Sequence, residues 1–208
     1  NSGLRASTGE FIQFLDSDDQ LAPLKISAQV KALQNAPHAG YARSWAIFEG
    51  QPSRQNTAVT PGRFRISKGE PFPGSVVVGL FRRQTCIKIG PWNEMLRRHQ
   101  DWEFGIRFLN LREEHLISDD VGYIVNATSD DRITKLGVDI ENEITLQRQA
   151  ADAAEAAVQV RNAPLDVRKK MAQRYSQIMI LSFKKKDGAS IKHSIQRIRA
   201  YLSIADRV

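Results

Sequence analysis

The chain holds one cysteine, Cys86, four scattered histidines and no long apolar run. Each scarcity excludes a class. A single thiol supports neither an intramolecular disulfide framework nor a cysteine-based zinc site, and it fits a reducing compartment. Cys86 itself reads as a small core residue in an apolar strand. His38, His115 and His193 have no metal-ligand spacing. No stretch approaches the roughly 20 apolar residues of a membrane span, and no secretory signal opens the chain. Internal repeats are also missing. What is present is ordinary for a globular chain: 41% hydrophobic and 25% charged residues, enough for a core and too apolar for wholesale disorder. At 208 residues the chain fits one domain, or one domain plus an appendage. Net charge is +7, which suggests an acidic partner without choosing among nucleic acid, an anionic membrane surface and a phosphorylated substrate.

Residues 9–19, GEFIQFLDSDD, carry the most information. Phe11, Ile12, Phe14 and Leu15 supply an apolar strand broken only by Gln13. Asp16, Asp18 and Asp19 follow at once. Like charges at the end of a buried strand cost free energy unless a cation or hydrogen-bond donors compensate. Hard divalent cations take oxygen ligands, and Mg²⁺ or Mn²⁺ is commonly held by one or two carboxylates plus substrate phosphates. Ligands of open α/β sheets bind beyond the carboxyl ends of strands. The residues thus point to a metal-assisted site for a phosphorylated substrate. The plainer reading of the acidic cluster alone is a helix N-cap, because Pro23 and a helical run follow.

The order Asn1, Gly3, Ser7, Gly9, Glu10, then F-I-Q-F-L-D-S-D-D, resembles the N-x-G-x-x-x-A-x-G-E-[FY]-[IL]-x-F-L-D-x-D-D pattern of glycosyltransferase family 2. Ser7 stands where the family usually has Ala. A second block agrees with it. Residues 75–81, SVVVGLF, read as a strand; Arg82-Arg83, Ile89-Gly90-Pro91-Trp92-Asn93-Glu94-Met95-Leu96 and Gln100-Asp101-Trp102-Glu103 then follow the family's order of an Arg pair, I-G-x-[FW]-x-E-x-L and E-D-W-[DE]. Gln100 replaces the usual Glu.

The resemblance implies an α/β fold, part of a GT-A-like mixed sheet flanked by helices and followed by an α-helical appendage, with domains over residues 1–136 and 137–208. It covers the first of these, in blocks. It implies sugar transfer from a nucleotide-sugar donor to an acceptor hydroxyl with inversion, as in polysaccharide biosynthesis. Asp16 and Asp18 would bind donor and Mn²⁺ or Mg²⁺, and Asp101 would be the catalytic base. His99 and Gln100 would line the acceptor side, which takes a glycan or a lipid-linked acceptor. Trp92 and Trp102 would be either an acceptor platform there or core anchors, the core reading suiting Trp102 inside a helix. Residues 123–134 lack the histidine often found there as a further metal ligand, and Arg132 or Lys135 would meet the donor diphosphate. Asp19 would serve as a helix cap or support its neighbours. The family's N-terminal nucleotide-binding strands are not in this sequence, so the polypeptide by itself is expected to be inactive while its parent is an enzyme.

Outside the resemblance, residues 20–36 read as a helix ended by Pro37, residues 41–49 as a strand, and residues 50–63 as a loop. From Asp101 to Leu111 runs an amphipathic helix, with Trp102, Ile106 and Leu109 on one face, Phe104 and Phe108 on another, and Asp101 as a plausible N-cap. Helices are predicted over 137–160, from Pro164 to about Lys184, and from Ser190 to Ala205. The second spaces Val167, Met171, Tyr175, Ile178 and Leu181 near 3.6 residues. Basic residues of this tail fit a solvated face, or peripheral contact with an anionic membrane from the cytoplasmic side. Two other readings stand beside the transferase: a basic nucleic-acid-binding module, for which no motif speaks, and a degenerate transferase serving as a scaffold.

Overall fold

The computed structural model describes residues 1–48, 64–67, 76–126, 139–159 and 163–203. The predicted loop at 50–63, and Arg132 with most of its segment, lie outside the described residues. Two compact units divide the chain: Asn1–Pro91 with Glu113–Arg132, and Trp92–Arg112 with Ile133–Val208.

The first unit is built on a six-stranded mixed sheet. Its elements are α1 (Ser2–Ala6), β1 (Phe11–Gln13), β2 (Gln20–Leu21), α2 (Lys25–Asn35), β3 (Ala39–Phe48), β4 (Arg65–Ile66), β5 (Gly79–Arg82), α3 (Arg83–Ile89) and β6 (Glu114–Val125). Strand order is β1-β5-β3-β6-β2, with β4 also on β6. Among the described residues the β3–β6 pair is parallel and the other pairs are antiparallel. The two apolar runs that open the family-like blocks are hydrogen-bonded neighbours, Ile12 opposite Phe81. The second strand is shorter than its apolar run. Residues 76–78 bend before β5 begins, and Val76, Val77 and Val78 are buried as a turn.

Helix α2 starts later than predicted, because Gln20 and Leu21 pair with Ile124 and Tyr123 of β6 instead. Its buried face is Lys25, Ala28, Gln29, Ala32 and Leu33, while Leu24 is 65% exposed. Ala32 and Leu33 join Ala39, Ala42, Leu80 and Leu116 in one core cluster. Cys86 is buried as predicted, but in α3 and not in a strand; burial pushes its thiol up to about 12.

Arg82 staples this unit. Its guanidinium donates to the carbonyls of Ala39 at 3.0 Å and Leu33 at 2.5 Å and pairs with Glu10 at 3.2 Å. Those contacts bind β5 to the ends of α2 and β3 and to the approach to β1. The Arg pair read from the sequence is therefore split: Arg82 ends a strand and Arg83 begins α3.

The second unit is helical: α4 (Gln100–Asn110), α5 (Ile140–Ala157), α6 (Leu165–Lys185) and α7 (Gly188–Ser203). The 3.6-residue spacing of the tail is its packing face. Val167, Met171, Tyr175 and Ile178 are buried together with Ile106 of α4, and Trp102, Leu109 and Leu181 pack against them. Among the described residues no helix is long and apolar enough to cross a membrane.

The rings of Tyr41 and Phe81 lie against each other with centroids 4.2 Å apart and a 33° tilt, and both are fully buried. Gly79 makes that possible: a Cβ there would lie 2.0 to 2.4 Å from the Tyr41 ring. The ring is fully buried, so relieving the overlap means shifting it within a filled core. Gly79→Ala should therefore cost about 1–3 kcal/mol by overpacking. Urea unfolding followed by far-UV circular dichroism checks this; an unchanged midpoint would show that the ring can move.

Candidate functional site

β1 ends at Gln13, and a tight turn carries the carboxylates before β2. The Asp19 amide donates to the Asp16 carbonyl at 3.3 Å. Two groups at the end of β6 fix this turn. The Asn126 amide donates to Asp19 Oδ1 at 2.9 Å, and the Asp16 amide donates to the Tyr123 hydroxyl at 3.4 Å. Tyr123 is fully buried; burial first, then its hydrogen bond to Asp19, holds its phenol in the protonated form. The plainer reading of these aspartates as a helix cap does not hold. α2 begins only at Lys25, and Leu24, with φ 64°, occupies its N-cap position. Asp19 supports the turn and caps nothing.

Burial, and then the charges of Asp19 and Asp18, raise the Asp16 carboxyl above its ordinary value. Burial disfavours the charged form of a carboxyl, and neighbouring like charges add to the effect. An oxygen-only donor set of this kind suits Mg²⁺ or Mn²⁺. Among the described residues no group of three or more His, Cys, Asp or Glu side chains converges to hold a metal ion. The described residues thus form no all-protein cage for a metal ion around Asp16 and Asp18.

Beside the turn lies a group that sequence reasoning missed. Lys25 is 1% exposed, and its ammonium donates to Gln13 Oε1 at 2.5 Å and Gln29 Oε1 at 2.9 Å. Gln13 in turn donates to the carbonyls of Phe14 at 2.5 Å and Val77 at 2.8 Å. One lysine therefore links the end of β1, the first turn of α2 and the bend before β5. Burial pulls its ammonium down to about 7. The available signal was Lys25 and Gln29 one helical turn apart on the same face as Ala28 and Ala32.

The remaining candidates sit in the helical unit. Asp101 is not the N-cap expected from the sequence. His99 occupies that position with φ 64° and ψ 19°, and Asp101 falls in the first turn with Glu103. A carboxylate there is favoured by the helix dipole. Gln100 donates back to the Leu96 carbonyl at 2.7 Å. Trp92 stacks on Phe104 at 4.4 Å. Trp102 packs on the tail cluster, with the Arg174 guanidinium 4.3 Å above its ring. His99 Nε2 lies 3.0 Å from Glu143 Oε1. Glu103, which the sequence reading passed over, is 2% exposed and makes a two-pronged bond to Arg107, both contacts at 2.8 Å.

Comparison with known proteins adds three findings. Residues 1–88 match the model of Glycosyl transferase family 2, a span that takes in both β1 with its aspartates and β5 with Arg82. No curated protein matches the chain. Among solved structures, S. aureus TarS 1-349, in complex with UDP-GlcNAc, is similar with a TM-score of 0.58 at 17% identity. That match covers 98% of this chain and 58% of the TarS chain, so this chain spans just over half the length of its structural neighbour. At this identity the likeness shows a shared fold: a GT-A-like mixed sheet flanked by helices, with further helices at the C-terminus.

Lys25 makes stability depend on pH in a direction that can be worked out. Its folded value, about 7, lies below the ordinary 10.5. Between these limits the unfolded chain binds a proton that the folded chain does not, so the lysine's contribution to stability rises with pH. Cys86 acts the other way in alkali, because its folded value is raised. Comparison with Lys25→Met removes that background. Between about pH 7 and about pH 9, wild type should gain stability relative to Lys25→Met in urea unfolding. Parallel curves would mean that the amine reaches water.

Proposed function

We propose, from the glycosyl transferase family 2 character of residues 1–88, that the parent of this chain transfers a sugar from a nucleotide-sugar donor to an acceptor hydroxyl, with inversion at the anomeric carbon. The observation that carries the proposal is the coincidence of the family match with the carboxylate turn, where burial and like charge raise Asp16. That electrostatic demand suits a divalent cation and a diphosphate together. UDP-GlcNAc in the TarS structure supports a nucleotide sugar as the donor class.

In this reading Asp16 and Asp18 face the donor diphosphate, and Tyr123 and Asn126 keep their turn rigid. Mg²⁺ or Mn²⁺ held through these carboxylates would supply charge neutralisation of the leaving diphosphate. Asp101 accepts the proton of the attacking hydroxyl. Such a base needs a geometry that does not wander, and a first-turn position on a buried helix provides it. Gln100 and Trp92 bear on the acceptor through the shape of the segment before α4, since their side chains are engaged with Leu96 and Phe104.

The test uses the full-length parent with purified nucleotide sugars, UDP-GlcNAc first, and follows nucleotide release in Mn²⁺ and in chelator. Asp101→Asn keeps the residue's size, and α4 is not capped by Asp101, so the fold should survive. Turnover should fall by about 10²–10⁴-fold, the usual share of a general base. Donor affinity measured by calorimetry should hardly move, because the lost interaction belongs to the transition state. Asp18→Ala should instead abolish the metal-dependent part of donor binding. Near-normal turnover in Asp101→Asn removes it as the base, and donor binding indifferent to metal removes the role given to Asp16 and Asp18.

A further inference from the structure

The helical unit contains a buried polar knot that the transfer reading leaves unused. Its centre is Glu143, in the first turn of α5. Arg98 Nη1 donates to Glu143 Oε2 at 3.0 Å, and His99 Nε2 meets Oε1 at 3.0 Å. Gln147, one turn along α5, donates to the same Oε1 at 2.8 Å. Arg174 of α6 completes the knot, with Nη1 3.5 Å from His99 Nδ1 and its plane over Trp102. The side chains of Arg98, His99 and Glu143 are each less than a fifth exposed.

The two residues that Glu143 grips are consecutive, and they immediately precede α4. His99 takes a left-handed conformation that side chains with a Cβ rarely adopt, and something must hold it there. The Glu103 amide donates to the His99 carbonyl at 3.1 Å, so the left-handed residue also sets the first turn of the helix. That turn contains Asp101. The ring bonds fit a neutral imidazole, with Nε2–H donating to Glu143 and Nδ1 accepting from Arg174. Burial, and then the Arg174 charge, lower the ring's proton affinity, which agrees with that form. On Glu143, burial works against ionisation, but the Gln147 hydrogen bond with His99 and Arg98 outweighs it, and the carboxyl lies below its ordinary value.

We propose that Glu143 is a positioning residue: by clamping Arg98 and His99 it fixes the left-handed turn that aims Asp101. The tail helix α5 then takes part in the acceptor-side chemistry through this clamp. The proposal rests on Asp101 being the base, and its two readouts separate the clamp from that role.

The first readout is amide hydrogen exchange in the full-length parent. Glu143→Ala should speed exchange selectively at residues 99–104, leaving the sheet unit and the later turns of α6 unchanged. Glu143→Gln keeps the size and one acceptor oxygen, and should give a smaller effect in the same place. Unchanged exchange at 99–104 in both variants, or a uniform rise through the helical unit, overturns the clamp. The second readout is nucleotide release from UDP-GlcNAc. A misaimed base should lower kcat by about 10²-fold with the donor KM unchanged. Adding Glu143→Ala to Asp101→Asn should then cause almost no further loss. An equal loss in both backgrounds shows that Glu143 does not act through Asp101 and overturns the proposal. If Asp101→Asn is itself near normal, the base assignment fails, while the exchange pattern still decides whether Glu143 sets the turn.

Discussion

The parallel pairing of β3 with β6 is the constraint on which the sheet unit depends. Parallel neighbours cannot be joined by a hairpin, so the chain must leave the sheet and return. Between these strands it makes β4, β5, α3 and α4 before β6 enters beside β3. β6 then offers its other edge to β4 and β2, and the short β2 is what brings the aspartate turn to the end of β6. Tyr123 and Asn126 can hold Asp16 and Asp19 only in that register. A slip of one residue would send Tyr123 to the opposite face. The ladder is uneven, with breaks at 39–41 and 43–46, and these let a long strand follow its partner through the twist.

Both units use buried polar groups as fasteners. In the sheet unit Lys25 and Arg82 tie carbonyls and amides of different elements together. In the helical unit α5 does this near both of its ends. Near its start Glu143 holds the approach to α4. Towards its end Glu155 accepts from Tyr175 of α6 at 2.9 Å and bonds Tyr201 and Arg197 of α7. Apolar faces bring these helices together, but a hydrocarbon interface tolerates rotation. A carboxylate with several fixed donors does not, because any rotation leaves a buried charge unpaired.

Much of this was legible because it rests on local pattern. The apolar runs of β1 and β5, the periodicity of α6 and the burial face shared by Trp102, Ile106 and Leu109 all follow from spacing. β6 was not legible: Ser118, Asp119 and Asp120 interrupt its apolar character, yet Ser118 and Asp120 are buried. The pairing of only Gln20 and Leu21 is invisible to periodicity, and it moved the start of α2. The cap of α4 was misplaced because a carboxylate at a helix start is the ordinary signal, while His99 is held in its unusual conformation by Glu143, which is remote in sequence. Lys25 was passed over for a related reason. A lysine on a helix face reads as solvated unless its amide partners, contributed by Gln13 and Gln29, are known.

The membership of Trp92–Arg112 in the helical unit bears on how such chains can be recombined. Asp101 travels with α5 and α6, because Ile106 is buried on those helices and Trp102 and Leu109 pack against them. Exchange of the C-terminal helices alone between relatives would strand α4 against a foreign surface. A viable chimera would have to transplant two separate stretches together, 92–112 and the tail, with the sheet's last strand left between them. The helical unit would then be inherited as a discontinuous cassette, and chain order would be a poor guide to where one ancestral module stops and the next begins.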